Sequence, residues 1–137
     1  MAMPAMRRKT EPRLARAHGH GRILLLDDSA ASRRRKTELL SRHGYEVTSI
    51  STEEEAYTLC RKHDFGLILV DHRKDPQRAA DFCQRIREER PHQMIGLLLD
   101  PDGALPLTKS PNLIWPDEDD DHFLARVETL AAFSAAA

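Results

Sequence analysis

Long apolar runs are missing from this 137-residue chain. A membrane-crossing helix needs about 20 consecutive apolar residues, and the strongest runs, Ile23 to Leu26 and Gly96 to Leu99, stop far short of that. No membrane association is therefore expected. Cysteine is scarce as well: Cys60 and Cys83 supply neither a disulfide framework nor a four-ligand zinc site. Both thiols are expected in the core of a protein of the reducing cytoplasm. Arg7, Arg8 and Lys9 would suit the start of a signal peptide, but no apolar stretch follows them, so a cytoplasmic location is expected. Neither sign of charge dominates, with 21 Lys plus Arg against 22 Asp plus Glu.

The charge that is present is divided unevenly. Residues 1 to 22 carry six basic side chains, Arg7, Arg8, Lys9, Arg13, Arg16 and Arg22, against the single acid Glu11. The remainder holds 15 basic and 21 acidic residues. With Pro4, Pro12, Gly19 and Gly21 and almost no periodic apolar positions, the first segment cannot bury enough surface to offset its ordering entropy. Residues 1–21 are thus expected to form a flexible basic tail, and residues 22–137 one domain. The tail contains no aromatic residue to stack on bases, so nucleic acid is not the expected partner; a nucleic-acid-associated factor using this basic arm is the most distant reading.

The body alternates strand and helix. Ile23 to Leu26 closes in Asp27, Asp28 and Ser29, and Ala30 to His43 reads as a helix capped by Gly44. Tyr45 to Ile50 alternates at strand period, and Ser51 to Glu55 supplies a capping box for a helix through about His63. Gly66 to Val70 is continuously apolar, as in a strand covered on both faces, and it too ends in a carboxylate, Asp71. A helix from about Arg78 to Glu89, a strand from Met94 to Leu99, a short strand at Leu113 to Trp115 and a helix from Asp117 to about Phe133 follow. The segment 101–111 has three prolines, so at most a turn or two of helix fits there. Five strands alternating with helices predict a doubly wound α/β fold with a parallel sheet in the order 2-1-3-4-5. That order makes the first and third strands neighbours, so Asp27, Asp28 and Asp71 converge beyond their carboxyl ends.

Three bare carboxylates repel one another. Unit charges about 4 Å apart interact by roughly 4 kcal/mol at an effective dielectric near 20. A divalent, oxygen-seeking ion such as Mg²⁺ would neutralise the cluster, and an aspartate left free beside it could attack a phosphoryl donor. Taken singly, Asp28 or Ser29 could merely cap a helix and Asp71 merely end a strand.

With these strings in place, residues 22 to about 132 resemble the receiver domains of bacterial response regulators. Ile23-Leu24-Leu25-Leu26-Asp27-Asp28-Ser29 is similar to that family's first strand and acid pair, and His43-Gly44-Tyr45-Glu46-Val47 to its entry into the second strand. Leu67-Ile68-Leu69-Val70-Asp71 resembles its third strand and phosphoacceptor, and Phe82-Cys83-Gln84-Arg85-Ile86-Arg87 its third helix. The resemblance implies that Asp71 is the phosphoacceptor, that Asp28 and Asp71 bind Mg²⁺ with Asp27 acting through water, and that the backbone carbonyl of Arg73 completes the ligand set.

The chain also departs from that pattern. Where the resemblance calls for Ser or Thr at the end of the fourth strand, this chain has Leu99 and Asp100. Its lysine near the end of the fifth strand falls on Trp115, and its aromatic switch position on Asn112. A rival alignment puts Lys109 at the lysine position but leaves Leu113, Ile114 and Trp115 in a loop. Arg73 and Lys109 are then the candidate substitute cations. The sequence therefore predicts no enzyme but an atypical, stand-alone receiver-like module of two-component phosphorelay signalling, with impaired or absent phosphorylation switching. Its expected partner is a histidine kinase or another signalling protein, and a homodimer is compatible with it. The alternative is a functional receiver phosphorylated on Asp71 by a histidine kinase.

Overall fold

A computed structural model describes residues 21–72, 74–98, 112–114 and 119–136, with 112–114 and 133–136 followed in backbone only. Strand β1 is Arg22–Asp27, helix α1 Ala30–Arg42, strand β2 Glu46–Ile50 and helix α2 Glu53–Lys62. Strand β3 is Leu67–Asp71, helix α3 Pro76–Glu89, strand β4 Ile95–Leu98, strand β5 Asn112–Ile114 and helix α4 Asp120–Ala136. The five strands are parallel, in the order β2-β1-β3-β4-β5 that the alternation predicted.

Local chemistry sets the boundaries. Ser29 caps α1, its side chain accepting from the Ser32 N–H, and Thr52 caps α2 by accepting from the Glu55 N–H. Gly44, after α1, has φ 93°, a conformation that costs a glycine little. Helix α3 begins at Pro76, not near Arg78, because Asp75 accepts from the Arg78 N–H and Pro76 sits at the first helical position, where its missing N–H costs nothing. Helix α4 is assigned from Asp120, later than the expected Asp117. The pairing of Asn112–Ile114 with β4 removes the rival alignment, which had left Leu113 and Ile114 in a loop. Residues 1–20, Arg73, 99–111, 115–118 and Ala137 lie outside the described residues. So do the expectations placed on the basic tail, the shortened helix before β5, Leu99, Asp100, Lys109 and Trp115. No described helix is long and apolar enough to cross a membrane.

Side-chain alternation along the strands sorts the core into two layers. Leu24, Leu26, Ile68, Val70, Ile95 and Leu97 pack with Ala56 and Cys60 of α2 and Ala79, Phe82, Cys83 and Ile86 of α3. Ile23, Leu25, Leu67, Leu69 and Leu98 pack on the other face with Leu39 and Leu40 of α1 and Phe123, Leu124, Val127 and Leu130 of α4. Each fully buried aliphatic side chain contributes about 1.5–3 kcal/mol, and both faces of β1 and β3 are filled this way. Both cysteines are buried, as expected. Burial pushes the Cys83 thiol up to about 12 and raises that of Cys60, so neither is a thiolate near neutral pH.

Candidate functional site

The strand period decides where each carboxylate goes. Ile23, Leu25 and Asp27 share one face of β1, and Leu67, Leu69 and Asp71 share the same face of β3. Asp27 and Asp71 are register partners at the end of the β1–β3 ladder. They therefore stand side by side, at the C-terminal edge of the sheet, on the layer that α1 covers. Both are buried, at 1% and 4% exposure.

Helix α1 supplies what two buried carboxylates need. The turn into the helix directs the Ser29 N–H at Asp27 Oδ1, 2.9 Å away, and the Ser32 hydroxyl donates to Asp27 Oδ2 at 2.6 Å. Arg33 donates to the Asp27 backbone carbonyl at 2.8 Å. One turn beyond Ser32, the Lys36 ammonium donates to Asp71 Oδ2 at 2.8 Å, to Asp27 Oδ2 at 3.3 Å and to the Ser32 hydroxyl oxygen. Lys36 is 3% exposed. An ammonium has three N–H donors, and here each has an acceptor. Hydrogen bonds of this charge-assisted kind are about twice as strong as neutral ones, and they hold a buried ion pair whose desolvation is otherwise costly.

Asp28 continues the alternation to the opposite side. Its side chain keeps 33% of its surface in solvent, and its Oδ2 lies 3.1 Å from His72 Nδ1, out of line for a hydrogen bond. His72 Nε2 is 3.2 Å from Glu53 Oε2. Glu53, in the first turn of α2, accepts two hydrogen bonds from Arg78 of α3, at 2.7 and 2.9 Å. That carboxylate raises the pKa of the exposed Arg78 guanidinium.

The sequence reading had grouped Asp27, Asp28 and Asp71 round one divalent ion. The structure brings Asp27 and Asp71 together and turns Asp28 toward His72. Among the described residues, no three His, Cys, Asp or Glu side chains converge as metal ligands. Both oxygens of Asp27 already accept hydrogen bonds, and Asp71 Oδ2 holds an ammonium. As arranged, Asp27 and Asp71 Oδ2 are occupied by donors of the chain itself, so the described residues offer Mg²⁺ no ready cluster of oxygen ligands; Arg73, whose carbonyl was the remaining expected ligand, lies outside them. The sequence reading missed Lys36, although a signal existed. It lies one turn before Leu39 and Leu40, on the stripe of α1 that faces the core, where a lysine needs a buried partner.

The sequence profile of the response regulator receiver domain matches residues 23–99, more than half of the chain. This chain belongs to that family. Its receiver fold also aligns with solved structures. CheY4, a chemotaxis protein of Vibrio cholerae, is 19% identical at a TM-score of 0.69, covering 80% of this chain and 97% of its own. The response regulator TrrA of Thermotoga maritima, solved in complex with Mg(2+)-BeF, is 21% identical at a TM-score of 0.69 with the same coverage. NtrX of Brucella abortus, solved with ADP, is 15% identical at a TM-score of 0.72. This receiver covers 82% of itself but only 26% of that longer chain. At these identities the likeness is one of fold. No curated protein sequence matches this one closely enough to count as a relative. Receiver domains are signalling domains of two-component systems that interact with histidine kinases and other signalling proteins, and this receiver is one of them.

Proposed function

We propose that this receiver is an atypical module of two-component phosphorelay signalling, which works by protein–protein interaction and whose switching by phosphorylation is impaired or absent. The observation that carries this reading is the Lys36 ammonium bonded to Asp71 inside the pocket. Asp71 is the residue the family resemblance makes the phosphoacceptor, and one of its oxygens is committed to an internal ion pair that is almost wholly out of water. A carboxylate tied in this way is a poorer nucleophile toward a phosphoryl donor. The switch positions add to the case. Leu99 and Asp100 bring no hydroxyl, Trp115 no ammonium and Asn112 no aromatic ring, so a phosphoryl group on Asp71 would find none of the usual levers. The partner is a histidine kinase or another signalling protein. The basic tail, the basis of the nucleic-acid reading, has no second feature in support of it.

One observation favours a second reading. Lys36 supplies beside Asp71 the very cation that Trp115 lacks, a role first assigned to Arg73 or Lys109, so Asp71 could be a working phosphoacceptor that uses a relocated lysine. Incubation with acetyl phosphate and Mg²⁺ followed by intact mass measurement separates the two. The proposal expects no adduct. A stable gain of about 80 Da, one phosphoryl group, that is abolished in Asp71→Asn would establish the second reading instead.

A further inference from the structure

We propose that Lys36 is the resident cation of this receiver's acid pocket, so that the folded domain holds Asp27 and Asp71 together without a divalent metal. The inference rests on reading Asp27 and Asp71 as the receiver pocket, but not on whether Asp71 accepts phosphate.

Three observations lead to it. The first is the tally of donors and acceptors. The three ammonium N–H groups meet Asp71 Oδ2, Asp27 Oδ2 and the Ser32 oxygen, while Asp27 Oδ1 is satisfied by the Ser29 N–H. Asp27 needs no further partner. The second is burial: the side chains of Lys36, Asp27 and Asp71 are 4%, 1% and 4% exposed, so this cation does not exchange with solvent as a hydrated ion does. The third is how the lysine is anchored. Ser32 and Lys36 are four residues apart on one face of α1, Leu39 and Leu40 continue that face into the core, and the helix start is pinned to Asp27 through Ser29 and Arg33. A second cation brought to Asp71 would face an ammonium 2.8 Å from the carboxylate, and Asp28, the acid otherwise available, is turned to the His72 side. A pocket that is metal-dependent in charge would thereby become self-contained, and its folding independent of magnesium supply.

Thermal unfolding of the full chain, followed by circular dichroism in EDTA and in Mg²⁺, tests this. The wild type is expected to shift its Tm by less than about 1 °C between EDTA and about 10 mM Mg²⁺, since a ligand stabilises only what it binds. Lys36→Met, which keeps the stem and removes the charge, should unfold several degrees lower in EDTA and recover about 3 °C or more in Mg²⁺, as the unpaired carboxylates gain affinity for the ion. Lys36→Gln, milder in shape and polarity, should do the same to a smaller extent and serves if the methionine variant does not fold. A wild type stabilised by Mg²⁺ by about 3 °C or more overturns the inference on its own, whatever the variants do. So does a Lys36→Met or Lys36→Gln protein that folds as stably as wild type in EDTA. A wild type that binds Mg²⁺ yet gains no mass from acetyl phosphate refutes the resident-cation inference and leaves the proposed function standing. One that ignores Mg²⁺ but is phosphorylated on Asp71 does the reverse.

Discussion

Asp27 and Asp28 are adjacent in the chain and meet opposite fates. Asp27 faces α1, is 1% exposed, and shares a lysine with Asp71. Asp28 faces the α2–α3 side, remains one-third exposed, and lies beside His72, whose other nitrogen is close to Glu53 of the Glu53–Arg78 pair. Ion pairs of similar length, 2.8 Å for Lys36–Asp71 and 2.7 Å for Arg78–Glu53, thus stand in different media. In the dry pocket, losing one partner strands a charge. At the rim, water replaces the lost partner, so the same geometry is worth little. The comparison teaches that the pocket's chemistry is set by which side of the sheet a carboxylate faces, more than by how many carboxylates are near.

The largest effect expected is at the buried pair. Lys36→Ala leaves Asp27 and Asp71 without their ammonium and should cost about 3–5 kcal/mol in urea unfolding near neutral pH. A loss under about 1 kcal/mol would mean that water reaches the pocket freely and would erase the contrast with the rim.

The second prediction uses the same dryness on a group with no countercharge. The Cys83 thiol is pushed from 9.0 to about 12, chiefly by burial. Its folded pKa is raised, so its contribution is complete below pH 9 and is lost as pH rises through the window to about 12. Between pH 9 and about pH 11 the stability should fall by about 2 kcal/mol on account of Cys83, a loss that Cys83→Ala should remove, and the raised thiol of Cys60 acts in the same direction. The decline that sets in from pH 10 should survive in this variant, because burial and Glu128 raise the Tyr45 hydroxyl to about 12. Urea midpoints measured across this pH range would check both limbs. The smallest effect is at the rim: the Arg78 side chain is 61% exposed and that of Glu53 13%, so Arg78→Ala should lower the urea midpoint only slightly, and added salt should shrink the difference further.

Much of this was legible in the chain. The strand order followed from five apolar segments alternating with helical ones. Asp27 and Asp71 could be placed together because each ends a strand that the doubly wound order makes a neighbour of the other. Helix α3 starts two residues before the expected Arg78, because Asp75 followed by Pro76 is a good helix opening. Asp28 stands one residue past the strand, and that its side chain comes to lie beside His72 is a matter of tertiary placement.

Sequence alone determined the elements, their order and the two carboxylates at the strand ends, because periodicity, caps and turn residues act over a few positions. Only the tertiary structure decided which cation those carboxylates meet. Lys36 lies 35 residues before Asp71, and it reaches the pocket because α1 packs Leu39 and Leu40 on the face of β1 and β3 where Asp27 and Asp71 emerge. That choice depends on how a helix seats on a sheet, and no local rule contains it.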